Sequence, residues 1–395
     1  MAKNIVILLD GTSNEIGKNR TNILRLYGTL RKSDDQLVYY DPGVGTFGGD
    51  KAWSRLWRKT VEVWGMATGW GLDANVKQAY RFLVENYARD ADGCRDRIYI
   101  FGFSRGAYTA RVLAGFLHAF GLMEPRNLNL LDYAYRAYKR IGENGGDNAF
   151  AELRLHERFM RPHRPQIRLL GLFDTVASVI ESGRFGPRLR KHAFTRHNPS
   201  VEAVRHAVAM SERRTMFRPQ PWPEEQVFTP CRFDPASAVA QDAREVWFAG
   251  VHGDVGGGYP KAESALAKIP LHWMIEETEP MGLKYKTAAI NLLVLGTRPG
   301  RDGKRYVAPD PRAPEHDSMT WGWKLLEFIP RRKPAGSTRP AIFGWIIPLF
   351  ERRHIADGAR IHASVMERQP PPANLPHDPV IEPSAPIEPP APPDA

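Results

Sequence analysis

Ile98 to Ala114, IYIFGFSRGAYTARVLA, decides how the rest of the chain is read. An apolar run, Ile98 to Phe101, follows charged residues, as a buried parallel strand does. Gly102, Phe103, Ser104, Arg105 and Gly106 then spell G-x-S-x-G. After them Val112, Leu113, Phe116, Leu117 and Phe120 are spaced for one apolar helix face. Strand, tight turn and helix in that order form a nucleophile elbow. The serine sits in a strained backbone conformation, and the glycines remove side chains that would strike the strand and helix. The helix N-terminus directs backbone N–H groups at an oxyanion formed there, which makes the N–H of Arg105 a candidate donor.

A serine hydroxyl is a weak nucleophile until a base takes its proton, and the base needs a carboxylate to orient it. Open α/β sheets place such groups at C-terminal strand ends, and the usual chain order on this fold is serine, acid, histidine. Ile167 to Phe173 reads as a strand ending at Asp174, and Glu245 to Val251 as another ending at His252. Ser104, Asp174 and His252 therefore form the first candidate triad. A rival uses Asp254, two residues past His252, and His316 in the later stretch Pro314 to Ser318; its order is equally correct. If His252 is the base, Asp254 supports it or binds a cation with backbone carbonyls. Ile5 to Leu9 reads as a central strand, and the polar turn from Asp10 to Asn14 at its end supplies a second oxyanion donor, the N–H of Gly11 or Thr12.

The remaining pattern alternates helices and strands. Helices are expected over Thr21 to Leu30, Leu72 to Tyr87, Leu128 to Arg140, Ala149 to Phe159, Val201 to Glu212 and Pro270 to Glu277. Strands are expected over Gln36 to Tyr40 and Ile290 to Gly296. His206 is read as a packed helix histidine. Gly43 to Gly71, with Trp53, Trp57, Trp64 and Trp70, is read as a connection covering the active-site edge. The fold class is thus α/β, a mostly parallel central sheet with helices on both faces and helical or loop insertions. The expected division is a catalytic domain to residue 300, an extension over 301–368 and a proline-rich disordered tail over 369–395.

Composition narrows the function class. A 395-residue chain with 42% hydrophobic residues buries a substantial core. Met1 to Asn4 runs into an apolar stretch too short for a signal peptide, and no stretch has the roughly 18 apolar residues of a spanning helix. The expected location is the cytoplasm, with peripheral membrane contact as a second reading. Cys94 and Cys231 stand in unrelated contexts, which argues against a disulfide framework or a cysteine-based metal site. Neither a metal nor another cofactor is expected. The charge of +11 reads first as a generally arginine-rich composition and second as a fit to an anionic membrane surface, and the dispersed arginines form no nucleic-acid motif. Trp321 to Ile329 and Ile342 to Phe350, flanked by arginine pairs, suit either an interfacial surface or a packed hairpin.

The motifs ILLDGTSN, YYDPGVGT, GFSRGAYTAR, GLFDTVAS, SERRTMFRP and WFAGVHGDVGGGY follow in this order from Ile7 to Tyr259, within a resemblance that covers roughly Ile5 to Leu295. Together they resemble the DUF2235 family of α/β hydrolases, which includes the Tle1 class of phospholipase effectors of type VI secretion systems. IHASVMER from Ile361 resembles a further family element. The resemblance implies a Ser-Asp-His hydrolase with Ser104, Asp174 and His252 at the GFSRG, FDT and VHGDVGG positions. The expected function is hydrolysis of a lipid or phospholipid ester through an acyl-enzyme. A non-catalytic scaffold, or a thioesterase or peptidase on the same machinery, is the alternative.

Overall fold

The computed structural model describes residues 2–11, 19–43, 71–88, 95–144, 147–176, 180–183, 186–189, 192–223, 225–231, 234–300, 306–333 and 337–384. Thr12, the four tryptophans expected over the active-site edge and the final prolines lie outside these residues. The central sheet has eight strands: β1 Asn4–Leu9, β2 Gln36–Asp41, β3 Arg97–Phe103, β4 Ile167–Phe173, β5 Val201–Ala209, β6 Asp242–Phe248, β7 Arg360–His362 and β8 Val380–Glu382. Their spatial order is β8-β7-β6-β5-β4-β3-β1-β2. The pairings of β1 with β2 and β3, β3 with β4, β6 with β7, and β7 with β8 are all parallel. This is the expected α/β class: helices join parallel strands, so the inner strands are covered on both faces and read as continuous apolar runs.

By contacts the chain divides into two units, one made of Met1–Glu15, Leu30–Arg205 and Pro221–Ala243, the other of Ile16–Thr29, His206–Gln220 and Arg244–Ala395. These boundaries differ from a linear division at residue 300. In the first unit every residue of β1 is buried, and the helix Arg105–Ala119 is buried almost all round, far beyond the stripe its spacing predicts. Phe116 at its centre meets the rings of Tyr80, Phe120, Tyr135 and Tyr138 at 4.7 to 5.7 Å. A helix held on all sides fixes the turn that precedes it. In the second unit, the helix Ala265–Thr278 carries Pro270 in its second turn, where the missing N–H forgoes one i→i−4 hydrogen bond.

Three expectations are corrected. Val201 to Glu212 was expected to be helical, but Val201–Ala209 is β5, an interior strand buried along almost its whole length. A strand covered on both faces shows no alternation, and its valines mimic helical spacing. His206 is accordingly a strand residue, with Nδ1 2.8 Å from Glu245 Oε2. Ile290 to Gly296, expected as a strand, is largely the helix Thr287–Leu293; a short apolar run does not distinguish the two. The expected tail begins instead with ordered chain. Val380–Glu382 pairs with β7 as an edge strand, and an edge strand tolerates neighbouring prolines because only one side is hydrogen-bonded.

Candidate active site

Ser104 stands between β3 and the helix Arg105–Ala119 with φ 57° and ψ −121°. A non-glycine residue holds such a conformation only where its surroundings enforce it. Its N–H donates to the carbonyl of Phe173 at 3.0 Å, tying the elbow to the end of β4. A Cβ on Gly102 would lie 2.4 Å from the Gly106 carbonyl oxygen, and one on Gly106 would lie 2.2 Å from the Leu9 oxygen and 2.4 Å from that of Asp10. The first helical turn therefore rests directly on the end of β1, an approach that only glycine permits.

Asp174 follows β4 by one residue, fully buried and also at positive φ, 38°. Phe103 is in register with Phe173, so Ser104 and Asp174 occupy matching positions on neighbouring strand ends. Asp10 ends β1 beside them. Its Oδ1 accepts the N–H of Gly11 at 2.7 Å and its Oδ2 accepts the Tyr40 hydroxyl at 3.0 Å. The Gly11 N–H, expected as an oxyanion donor, is thus turned toward its neighbour's carboxylate. Burial lowers the Arg105 guanidinium to about 10, and its backbone N–H begins the elbow helix.

The second unit carries both candidate histidines, His252 and His316. His252 opens the short helix His252–Gly256 and is buried, with its ring edge-on to Phe217 at 4.9 Å. Asp254, two residues on, is likewise buried. Its Oδ2 accepts the backbone N–H groups of Val251 at 3.0 Å and His316 at 3.2 Å, and its Oδ1 lies 2.6 Å from His316 Nδ1. Burial pushes the Asp254 carboxyl up, and the bonds from Val251 and His316 work against that rise. Gly250 has φ 99°, and a Cβ there would come within 2.4 Å of the Asp254 Cβ. The His316 ring stacks on Tyr259 at 3.5 Å and 7°, with its Nε2 3.4 Å from the exposed carboxylate of Glu263. The structure thus brings Asp254 and His316 together as a carboxylate–imidazole pair.

Glu212 went unassigned in the sequence, although SERRTMFRP stood out as a motif. Its Oε1 accepts the N–H groups of Arg213 and Arg214, the Arg214 Nε, and the Ser318 hydroxyl at 3.0 Å. Its Oε2 accepts from Arg214 at 2.8 Å and from the backbone N–H of His252 at 3.2 Å. One buried carboxylate therefore ties the His252 turn to the His316 loop. Burial pushes Glu212 up, but Arg214, reinforced by Arg353, outweighs it and holds the carboxyl at about 2. Among the described residues no group of three or more His, Cys, Asp or Glu is placed to hold a metal ion.

Residues 3–277 match the family described as T6SS phospholipase effector Tle1-like, catalytic domain. An uncharacterized protein of Saccharomyces cerevisiae is 34% identical over 246 residues, which are 59% of this chain and 34% of that protein. The chain thus spans about a third of the length of that relative. Of solved structures, an uncharacterized protein from Pseudomonas aeruginosa aligns with a TM-score of 0.38 and 21% identity, over 72% of this chain and 46% of the other. A Tle1 effector bound to the VgrG spike of a type 6 secretion system aligns at 0.31 and 19%, over 67% and 53%. On the family match, which covers well over half of its residues, the chain belongs to the Tle1-like phospholipase effector catalytic-domain family.

Proposed function

We propose that the chain is a serine hydrolase that cleaves carboxylic esters of lipids through an acyl-enzyme. The observation that carries this reading is the elbow: Ser104 at positive φ between strand and helix, with no room for a side chain at Gly102 or Gly106. Two triads satisfy chain order. The 2.6 Å bond between Asp254 and His316 favours Ser104, Asp254 and His316, because it fixes the imidazole with Nδ1 donating to the carboxylate, which leaves Nε2, 3.4 Å from Glu263, to act as base. His316 Nε2 then takes the Ser104 proton as the hydroxyl attacks the ester carbonyl, and returns it to the departing alcohol. The backbone N–H of Arg105 receives the oxyanion. The position of Asp174 beside Ser104 supports a second reading, with His252 as the base.

Lipid is the favoured ester because the family is one of phospholipase effectors. The test is Ser104→Ala. It is expected to abolish hydrolysis of a short p-nitrophenyl ester and labelling by a fluorophosphonate, with the melting temperature nearly unchanged. A wild type that neither hydrolyses nor labels would leave the fold as a non-catalytic scaffold.

A further inference from the structure

The segment from Trp321 to Phe350 in the second unit exposes large apolar side chains that the proposed chemistry does not use. Ile342 and Phe343 form the tip of a short ribbon, Arg331–Arg332 paired with Trp345–Ile346, and are 75% and 97% exposed. Phe343 and Gly344 both have positive φ, 47° and 78°, a tight turn that pushes the phenyl ring outward. Trp321, in the helix Trp321–Leu326, is 81% exposed, and Leu325, Phe328 and Trp345 are more than half exposed. So much exposed apolar surface on one short segment marks an interaction site.

Charge identifies the occupant. Between residues 321 and 350 the basic residues are Lys324, Arg331, Arg332, Lys333 and Arg339, and the sole acid is Glu327. Glu327 is fully buried, and accepts the Thr215 N–H at 2.8 Å as well as the Thr215 hydroxyl. Glu351, just beyond, is engaged by Arg218, Ser337 and Thr338. The two carboxylates anchor the segment, and what faces outward is tryptophan, phenylalanine and isoleucine set among cations. That composition matches the boundary between headgroups and acyl chains of an anionic bilayer.

We propose that residues 321–333 and 337–349 form a docking surface for an anionic lipid bilayer. The proposal deepens the lipid-ester reading and rests on it for its purpose, since docking delivers substrate. Trp323 lies edge-on to Phe217 at 5.3 Å, Phe217 meets His252 at 4.9 Å, and the Arg214 guanidinium sits 3.7 Å over Phe217 and 5.3 Å from Trp323. The docking segment is thus packed through two rings onto the turn that carries His252, which Glu212 ties to the His316 loop, so a bilayer held there lies beside both candidate histidines.

The experiment is co-sedimentation of the full chain with vesicles of phosphatidylcholine containing phosphatidylglycerol, with pure phosphatidylcholine as the comparison. Wild type and Ser104→Ala are expected to bind the anionic vesicles equally, and far better than the neutral ones. Phe343→Ser is expected to weaken binding about tenfold, the scale of one buried aromatic ring. Arg332→Gln and Lys333→Gln are each expected to weaken it about fivefold, with less effect at high salt. All three variants change exposed side chains, and hydrolysis of a soluble short ester is expected to stay at the wild-type rate. Failure of the wild type to bind, equal binding to neutral vesicles, or unchanged binding by Phe343→Ser overturns the proposal. Self-association lost in Phe343→Ser with vesicle binding intact would assign the surface to a second copy of the chain and likewise overturn it. Absent ester hydrolysis with intact vesicle binding would instead count against the catalytic reading alone.

Discussion

Replacing Asp254 with Asn separates the two triads, because its effect follows from the donors around the carboxylate. Oδ2 accepts two backbone N–H groups, from Val251 and His316, and neither can reverse its role. The asparagine carbonyl oxygen must therefore take the Oδ2 position, which leaves its NH2 facing His316 Nδ1. A donor there forces Nδ1 to act as acceptor and moves the proton to Nε2, so the ring can no longer act as base. In serine proteases the corresponding change costs about ten-thousandfold in turnover, or about 5 kcal/mol in the barrier, and the same is expected here. Stability should not fall with it. Burial raises the Asp254 carboxyl, so the folded state binds its proton more tightly than the unfolded chain. The ionised group therefore costs stability above the ordinary carboxylate range, and this cost vanishes at low pH. Asparagine removes that cost. The assay is turnover of a short p-nitrophenyl ester alongside thermal unfolding at neutral pH. Near-wild-type turnover in Asp254→Asn, with turnover lost in Asp174→Asn, would refute the assignment and return the base to His252.

Glu212→Gln is expected to destabilise the fold by about 3 kcal/mol near neutral pH, the worth of moving a carboxyl from 4.5 to about 2. In the wild type this contribution is complete above about pH 5 and lost as the pH falls toward 2, so urea midpoints of wild type and variant should converge in acid. Lys268 runs the other way: burial, with Arg25 nearby, lowers its ammonium to about 7. The unfolded chain then holds a proton that the folded one releases, so stability should rise between about pH 7 and pH 10, and Lys268→Met should flatten that rise. Gly106→Ala places a methyl against two backbone carbonyls, which cannot swing aside. It should cost about 3 kcal/mol of stability, read from the shift in urea midpoint, and reduce turnover as well, because the same contact sets the elbow against the end of β1.

What could be read from the sequence was whatever depends on local order. G-x-S-x-G lies between an apolar run and a helix pattern, and β3, the elbow and its helix follow where expected. β1 and β4 were equally legible, since each is a short apolar run closed by an aspartate. β5 was not, because a strand covered on both faces has no alternation to read. Nor were β7 and β8, three residues each, which hold their places by pairing with a formed sheet edge rather than by their own pattern.

The choice between the triads shows why site residues are harder to read than the fold. His252 follows a strong strand, and a histidine held rigidly there is a reasonable base. His316 lies 62 residues after Asp254 in a proline-rich loop whose sequence shows no order. Its order comes from partners distant in the chain: Asp254 holds its ring and its backbone N–H, Tyr259 stacks on the ring, and Ser318 in the same loop donates to Glu212. Glu212 in turn is oriented by Arg214, two residues on, through two side-chain bonds. A loop fastened by that many buried charged bonds places an imidazole as firmly as a strand end does. This also assigns the arginine-containing SERRTMFRP stretch a part in the site: Arg214 fixes the Glu212 carboxylate, and that carboxylate fixes both the His252 turn and the His316 loop. Loss of Glu212 should therefore reduce turnover whichever histidine is the base, whereas the Asp254 and Asp174 variants separate the two.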